Sequence, residues 1–327
     1  MKSRALLFFS ILNIFFILSS YAANASKAPA SLLPLITVEV PPYSNSAEIA
    51  RRLVNAGVLT HPWKFLLGIS LSHKKAFAPG TYTFKSGMDI IDIIDVLKKA
   101  PVYKVTIPEG LTVAEIVRYL NEQSFLTGGI FLLPSEGMLL PETYVVRYGD
   151  KREVVLKRIE LSMKTTVKTL WESSAASKAR TAEMGIKSEL ELLTLASIVE
   201  KETGIAAERA HIAGVFLNRL AQKMRLQSDP TVSYAVTNGK QPLGRQLRKR
   251  DLAEQSPMNT YTTSGLPPQP IACPGKAALL AVLAPDTTKD LYFVANGVGG
   301  HRFSETLDGH NKNVTHWRRA QRSADDE

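Results

Sequence analysis

The sequence lacks the motifs that mark most well-known cofactor and nucleophile sites. It has a single cysteine, Cys273, which cannot form an internal disulfide, and nothing marks a histidine partner that would make it a nucleophile. The six histidines show no His-Glu-x-x-His spacing, and His301 with His310 lacks a third ligand, so no metal site is predicted. A structural or substrate-contacting role is expected for each histidine instead. Neither a glycine-rich phosphate loop nor a Gly-x-Ser-x-Gly turn is present, which argues against nucleotide-dependent and serine-hydrolase chemistry. The sequence therefore predicts a protein without a cofactor.

What the chain does have is an ordinary globular composition with an excess of basic residues. Its 327 residues, 45% of them hydrophobic and 21% charged, are enough for about two folded domains. The formal net charge of +10 favours anionic partners: nucleic acid, acidic phospholipid or a carboxylate-bearing wall polymer. The densest basic cluster, residues 245–250, contains no aromatic residue and is interpreted as a solvated loop.

The N-terminus carries an export signal. Lys2 and Arg4 precede an apolar run over residues 5–18, and an Ala-Asn-Ala triplet follows at residues 23–25. The triplet suits a signal peptidase, whereas the apolar run extended to Ala23 is just long enough to span a bilayer. Basic residues on the amino side orient the following chain outward, so the rest of the protein is expected outside the cytoplasm in either case. This location disfavours nucleic acid as the partner.

An internal repeat follows a predicted linker over residues 26–36. Residues 38–59 reappear as residues 105–126, with a Val-x-Val-Pro or Val-x-Ile-Pro strand, an Ala-Glu-Ile triplet and leucines at matching positions. Each copy predicts a short strand, a turn and an amphipathic helix. Between the copies, residues 80–84 predict another strand and residues 89–99 another helix. The predicted bounds are 37–104 for a first module and 105–150 for a second strand-helix unit with its connector.

A predicted helix further along the chain places carboxylates beside hydrocarbon. Ser188 and Glu191 form a capping-box pattern at its start, and Gly204 is the predicted stop. One apolar stripe is formed by Leu192, Leu195, Ala196 and Val199. Glu200 lies on one shoulder of this stripe and Glu202 on the other, so helical geometry alone does not choose between them. A carboxyl held against apolar side chains tends to stay protonated, as a general acid near neutral pH requires.

Several segments follow this helix in a characteristic order. They are Glu208-Arg209 opening a second helix with apolar positions 212, 215, 216 and 220, then residues 224–234, Asn259-Thr-Tyr261, residues 265–268, Pro274-Gly275, residues 291–295 and residues 299–304. In this order and spacing they resemble the MltG (YceG-like) family of endolytic murein transglycosylases, which cut peptidoglycan glycan strands. The resemblance is dense from Leu192 to about Trp317 and looser before it. Two positions depart from the family pattern: Gln269, where glycine is usual, and Cys273, where a small or polar residue is common.

The resemblance implies an α+β fold in several parts. An N-terminal membrane segment over residues 1–25 would be followed by a LysM-like module of repeated strand and helix units, the connector, and a mixed α+β catalytic domain over residues 151–327. Residues 152–182 are predicted to be helical at the start of that domain. The family is anchored in the inner membrane, which implies a retained single-pass anchor with the catalytic domain outside the cytoplasm; a cleaved signal and a periplasmic protein are the alternative. LysM modules bind N-acetylglucosamine-containing glycans, although the repeats here can equally be scaffolding. Peptidoglycan strands are the implied partner, and peptidoglycan synthases are candidate protein partners.

The implied mechanism uses one carboxyl, that of Glu200, twice. Protonated Glu200 would donate to the glycosidic oxygen between N-acetylmuramic acid and N-acetylglucosamine, and the carboxylate would then take the proton of the muramoyl C6 hydroxyl as that oxygen attacks C1. Intramolecular attack removes the need for the second carboxylate of an ordinary glycosidase. Asp229 is a candidate saccharide contact and, if a second carboxylate takes part, the candidate for it, although Asp-Pro is also typical of a turn. Gln227, Asn259 and Tyr261 are candidate saccharide contacts, and satisfying loop backbone groups is an equal alternative for them.

Rival functions remain open at the level of sequence. A hydrolytic muramidase would cut the same glycan but leave a reducing sugar, and a non-catalytic wall-binding protein would retain glycan affinity without cleavage. A basic nucleic-acid binder would show a steep salt dependence with duplex DNA.

Overall fold

The computed structural model describes residues 34–72, 76–174 and 181–325, and the predicted membrane segment over residues 1–25 lies outside them. Within the described ranges, no helix is long and apolar enough to cross a bilayer. The chain divides after Pro101 into two compact units, and buried hydrophobic clusters form within each of them. The sheets in the described ranges are two-stranded and antiparallel, so the fold belongs to the predicted mixed α+β class.

The first unit alternates short strands with capped helices. Its elements are β1 (Leu35–Val40), α1 (Ser46–Asn55), α2 (Pro62–Leu71), β2 (Gly80–Lys85) and α3 (Ile90–Lys98). Strand β2 buries every second residue, as a strand with one face on the core must. Asn45 and Asp89 accept hydrogen bonds from backbone N–H groups in the first turns of α1 and α3, which sets where these helices begin. The predicted strand at residues 80–84 and helix at residues 89–99 are confirmed within one or two residues. Strand β1, however, begins at Leu35, within the predicted linker over residues 26–36, and α2 was not predicted.

The second unit begins with a similar order, but a single helix lies between its first two strands where the first unit has two. Its first elements are β3 (Val102–Thr106), α4 (Val113–Glu122), β4 (Thr143–Arg147) and α5 (Arg152–Ser173). Strand β3 pairs with β4 as β1 pairs with β2, and in each pair a tyrosine lies opposite a valine. The hydroxyl of Tyr82 donates to the carbonyl of Ala78 at 2.7 Å, and that of Tyr144 donates to the carbonyl of Leu140 at 2.8 Å. Each repeat therefore includes a second strand: β2, which was predicted, and β4, which was not.

The rest of the second unit surrounds one buried helix. The remaining elements are α6 (Glu189–Glu202), α7 (Arg209–Ala221), α8 (Asp229–Thr237), α9 (Lys249–Leu252), α10 (Lys276–Leu283), β5 (Tyr292–Ala295), β6 (His301–Ser304) and α11 (Leu307–Asp325). Helix α6 packs against α5, α7, α8 and α10. Every residue from Leu192 to Val199 is buried, so the predicted apolar stripe of α6 is in fact one face of a helix enclosed on all sides. Its first turn, residues 189–191, is not buried, and its last turn carries Glu200 and Glu202.

Two predicted boundaries differ from the structure. Helix α5 ends at Ser173, short of the predicted residue 182, because Ser174 leaves helical geometry; residues 175–180 lie outside the described chain. Strand β3 begins at Val102 and pairs with β4 of the second unit, so the structural division falls at Pro101 and the predicted bound at residue 104 lies inside a strand. Residues 105–150 belong to the same compact unit as the chain that follows them.

Candidate active site

The last turn of α6 carries the two carboxyls that the sequence singled out. The Ser188 hydroxyl accepts the Glu191 backbone N–H at 3.2 Å, which confirms the predicted start of the helix. The helix ends at Glu202, and Thr203 in extended geometry leads to Gly204, close to the predicted stop. Glu200 and Glu202 leave this turn in different directions and meet different groups.

The Glu200 carboxyl is enclosed by protein groups. Its side chain is 6% exposed, its Oε2 accepts the backbone N–H of Gly275 at 2.9 Å, and its Oε1 lies 3.8 Å from the Arg209 guanidinium. A Cβ on Gly275 would lie 1.8 Å from Oε1 of Glu109, so a side chain at this position would displace the Glu109 carboxyl. Burial raises the pKa of Glu200, and the Gly275 hydrogen bond opposes the shift. These contacts make Glu200 a bridge between α6, α7 and the loop before α10.

The Glu202 carboxyl lies against a different segment. The Ser228 hydroxyl donates a hydrogen bond to its Oε1. Burial raises the pKa of Glu202 to about 7, a shift that the Ser228 bond opposes and the negative charge of Asp229 reinforces. Glu202 therefore has the property that the sequence analysis sought: a carboxyl that is substantially protonated near neutral pH.

Glu202 also lines a cavity of about 570 Å³, which we call the Glu202 cavity. Three of the predicted saccharide contacts, Gln227, Asp229 and Tyr261, line the same cavity. The Tyr261 hydroxyl donates to Oδ1 of Asp229 at 2.6 Å, which holds the two side chains together. Glu200 is not among the residues that line this cavity. The structure thus brings the predicted contacts together around Glu202.

Asn259, the fourth predicted contact, has a different position. It is fully buried, and its side-chain amide donates to the carbonyls of Leu252 and Glu254 at 3.1 and 2.8 Å. Its Oδ1 accepts the backbone N–H of Tyr261 at 2.9 Å. These bonds are the loop-satisfying role that the sequence analysis kept as the alternative, and they fix the backbone from which Tyr261 enters the cavity.

Sequence reasoning missed one cation of the site. Arg219 lines the Glu202 cavity, and its guanidinium donates to the carbonyl of Leu291 at 2.6 Å and to that of Leu226 at 2.8 Å. The signal was present, because Arg219 follows Phe216 by three positions and so lies on the apolar face of α7. A buried cation on such a face implies a specific set of acceptors.

Two histidines also contribute to the wall of the site. His301 and His310 line the Glu202 cavity on the side of the β5–β6 hairpin and of α11. The Nδ1 of His301 lies 2.8 Å from Oε2 of Glu208, which fixes the ring, and His310 stacks on Tyr292 with ring centroids 5.3 Å apart. Burial lowers the pKa of His310. The predicted substrate-contacting or structural role of these residues fits their place on the cavity wall.

A second cavity, of about 880 Å³, adjoins the first and is called the Tyr234 cavity. Asp229 lines both cavities. The amide of Gln269 donates to the Tyr234 hydroxyl at 3.0 Å, and that hydroxyl donates to Oε2 of Glu136 at 3.2 Å. The departure from the family pattern at Gln269 therefore adds a hydrogen bond to the cavity wall. The second departure, Cys273, is a buried free thiol whose pKa is raised by burial, in agreement with its predicted inert role.

A helix-borne carboxyl with a pKa near neutrality, beside a polar cavity, is the arrangement of an acid–base enzyme. The family model of the YceG-like family matches residues 38–316, and the chain belongs to this family. The chain is 30% identical over 311 residues to the endolytic murein transglycosylase of Bacillus subtilis, a match that covers 85% of this chain and 83% of the relative. It is 28% identical over 344 residues to the endolytic murein transglycosylase of Streptococcus pneumoniae, which covers 87% of this chain and 60% of that longer protein. The crystal structure of a YceG-like protein from Listeria monocytogenes matches with a TM-score of 0.56 and 28% identity, over 85% of this chain and 98% of that one.

Proposed function

We infer that this chain is an endolytic murein transglycosylase, a lyase that cuts peptidoglycan glycan strands at the bond between N-acetylmuramic acid and N-acetylglucosamine. Membership of the YceG-like family and the names of its relatives support the activity. The observation that carries the chemistry is the Glu202 carboxyl, whose pKa burial raises to about 7 in a polar cavity. The product would be a 1,6-anhydromuramoyl end.

The proposed reaction needs one carboxyl in two roles. The protonated acid donates to the glycosidic oxygen as the C1–O bond breaks and the sugar ring takes on oxocarbenium character. The resulting carboxylate then accepts the proton of the muramoyl C6 hydroxyl as that oxygen bonds to C1. No water is consumed, because the nucleophile is held within the same sugar at high effective concentration.

The structure favours Glu202 over Glu200 as this carboxyl. Glu202 lines the cavity with Gln227, Asp229 and Tyr261, whereas both oxygens of Glu200 face protein groups, the Gly275 N–H and the Arg209 guanidinium. The sequence analysis predicted Glu200 as the catalytic acid and base. We assign this role instead to Glu202, on the same helical turn. In this arrangement Asp229, held by the Tyr261 hydroxyl, places a negative charge where positive charge develops on the sugar ring.

Matched glutamine variants test the assignment. Glutamine keeps the shape of glutamate but cannot supply a proton, so Glu202→Gln should reduce release of 1,6-anhydromuramoyl ends by a factor of about 10² to 10⁴. Glu200→Gln should have a smaller effect, because an amide still accepts the Gly275 N–H. The readout is mass spectrometry of digested peptidoglycan, with circular dichroism to confirm folding. Loss of products in Glu200→Gln alone would restore Glu200 as the acid.

The same products separate the rival activities. Reducing muramic acid ends from the unmodified protein would identify a hydrolytic muramidase, with Asp229 available to activate water. Cleavage that is independent of both glutamates would reject the site. Binding to peptidoglycan with no cleavage at all would identify a non-catalytic wall protein.

The proposed location follows from the N-terminal sequence. Lys2, Arg4 and the apolar run after them would place the catalytic unit outside the cytoplasm, with residues 1–25 retained as a single-pass inner-membrane anchor. A reporter fused after Glu327 should be active only outside the cytoplasm. N-terminal sequencing of the mature protein tests retention separately, since a first residue of Ser26 would show that the signal is cleaved. The first unit would be the LysM-like module, and peptidoglycan synthases are the protein partners to test for.

A further inference from the structure

The Tyr234 cavity lies where a bound substrate would extend beyond the acid. It meets the Glu202 cavity at Asp229, which lines both. Helix α11 also runs along both cavities. His310 lines the Glu202 cavity, and Trp317, two turns later on the same face of the helix, lines the Tyr234 cavity. The two cavities therefore lie side by side, with Asp229 and α11 in contact with both.

The walls of the Tyr234 cavity combine amide groups with apolar side chains. Gln241 and Gln246 provide amides that can donate to carbonyl groups and accept from N–H groups. Leu243, Leu247 and Trp317 provide apolar surface that can cover methyl and methylene groups. This combination suits a short peptide better than a second run of sugar hydroxyls.

The segment over residues 239–250, here the basic segment, forms one side of this cavity and is strongly positive. It contains five lysine or arginine residues and no acidic residue. Asp251 pairs with Arg245 at 2.6 Å and, at the longer distance of 3.9 Å, with Arg250. In the part of the chain that the structure describes, the exposed side chains of Arg248 and Lys249 form no ion pair. They follow directly after Leu247 on the cavity wall, so the rim of the cavity carries unneutralised positive charge.

Two carboxyl side chains, Glu115 and Asp229, and one ammonium, Lys201, line the cavity itself. Oε2 of Glu115 accepts the backbone N–H of Thr112 at 2.9 Å at the start of α4. Asp229 accepts the Tyr261 hydroxyl and faces the Glu202 cavity as well. Lys201 lines the cavity too, and its ammonium donates to the carbonyl of Gly110 at 3.0 Å without losing its charge. The excess positive charge therefore lies in the basic segment beside the cavity, where it complements a ligand that carries carboxylates.

We propose that the Tyr234 cavity and the basic segment bind the acidic peptide stem of the muramic acid at the cleaved bond. This inference rests on the proposed transglycosylase function and adds the part of the substrate that it recognises. Each muramic acid carries, on its lactyl group, a short peptide with free carboxylates, which projects sideways from the glycan strand. With the sugar at Glu202, the stem enters the adjoining cavity, its backbone meets the two glutamines, and its carboxylates meet Arg248 and Lys249. The enzyme accordingly prefers strands that still bear their stems.

The test compares stem-bearing soluble glycan strands with the same strands stripped by an amidase that removes the stems. The variant is Arg248→Gln with Lys249→Gln, which removes two charges and lies outside the catalytic machinery. It should raise KM for stem-bearing strands about five- to tenfold, the effect of losing two exposed ion pairs, and leave kcat unchanged. On stripped strands its KM should equal that of the unmodified protein. The matched control is Lys157→Gln with Lys168→Gln, which removes the same charge from exposed pairs on α5 and should change neither KM.

Other outcomes would overturn the proposal. An equal rise of KM on both substrates would show general attraction to the strand, and no rise would show that the basic segment is only a solvated loop. An unchanged KM combined with lost binding to phosphatidylglycerol vesicles would assign the segment to a membrane surface. Anisotropy of a labelled disaccharide-peptide on Glu202→Gln protein, with and without the two charge substitutions, gives the answer without cleavage. If no strand yields anhydro ends, the proposed function fails, while this binding comparison still decides the inference.

Discussion

Glu202 holds its proton because burial and the charge of Asp229 both disfavour its carboxylate form, and this should be visible in the pH dependence of activity. Its pKa of about 7 means that the donating form is lost as the pH rises past neutrality, so the rate should fall on the alkaline side. Asp229→Asn removes a charge that raises this pKa, and the alkaline limb should therefore move to lower pH. Rates of anhydro-end release across pH 5 to 9 check both expectations. An unmoved limb would mean that another group sets it.

The same carboxyl should make the fold less stable at high pH. Its pKa is about 7 in the folded protein against an ordinary value of 4.5 for glutamate, so the folded state binds the proton more tightly than the unfolded state does. The resulting stability is fully present below pH 4.5 and is lost as the pH rises through about 7, to a total of at most about 3 kcal/mol. Glu202→Gln should remove this loss and be the more stable protein at pH 8. Urea unfolding of both proteins at pH 5 and pH 8 provides the comparison, and parallel pH profiles would contradict it.

The choice between the two glutamates shows where sequence information ends at this scale. Helical periodicity placed Glu200 and Glu202 on opposite shoulders of one stripe, and both did end up with raised pKa values. What separates them is supplied by distant segments: the N–H of Gly275 and Arg209 for one, and the hydroxyl of Ser228 with a cavity for the other. No local pattern encodes these contacts, because they depend on how the loops before α8 and α10 fold back onto α6.

At the scale of elements, the start of α6 depends on one serine. The Ser188 hydroxyl accepts the Glu191 N–H, and Glu191 accepts from the Ser188 hydroxyl and the Lys187 N–H. Ser188→Ala should lower the free energy of unfolding by about 1 kcal/mol, as loss of a helix N-cap does. Ser188→Asp keeps an acceptor at the cap and should recover most of it. Urea unfolding curves measure both, and an alanine variant as stable as the unmodified protein would show that packing alone sets this end of the helix.

Elements with local signals were predictable, and their pairing was not. The repeat pattern of residues 105–126 predicted the helix α4, whose start carries a local signal, the capping box of Thr112 and Glu115. The pairing of β3 with β4 depends on residues far apart in sequence, and the matching hydroxyl bonds of Tyr82 and Tyr144 became visible only in three dimensions. Helix α5 was predicted too long because a continuing polar, helix-compatible sequence hides the end at Ser173.

At the scale of the whole molecule, the cavities are the least predictable feature. The Glu202 cavity draws its walls from α6, α7, α8, the β5–β6 hairpin and α11, with Tyr261 from a loop. The ordered family-like segments could be recognised one by one, and Gln227, Asp229 and Tyr261 proved to share a wall. Their common centre, however, exists only once α11 and the hairpin pack on the same unit. The net positive charge of the chain could be read from the sequence, but the place of the basic segment beside the Tyr234 cavity could not.

The division after Pro101 gives the last prediction. Each unit buries its own hydrophobic clusters, so the second unit should fold and cut without the first. A protein lacking residues 37–100 should therefore release anhydro ends from short soluble strands with an unchanged kcat. If the first unit is a glycan-binding LysM-like module, the same protein should sediment less with insoluble peptidoglycan, because two linked sites hold a long strand more tightly than one. Full-length Glu202→Gln is the control, since it keeps both units and should sediment like the unmodified protein. Undiminished sedimentation of the shortened protein would leave the first unit as scaffolding or as a surface for protein partners.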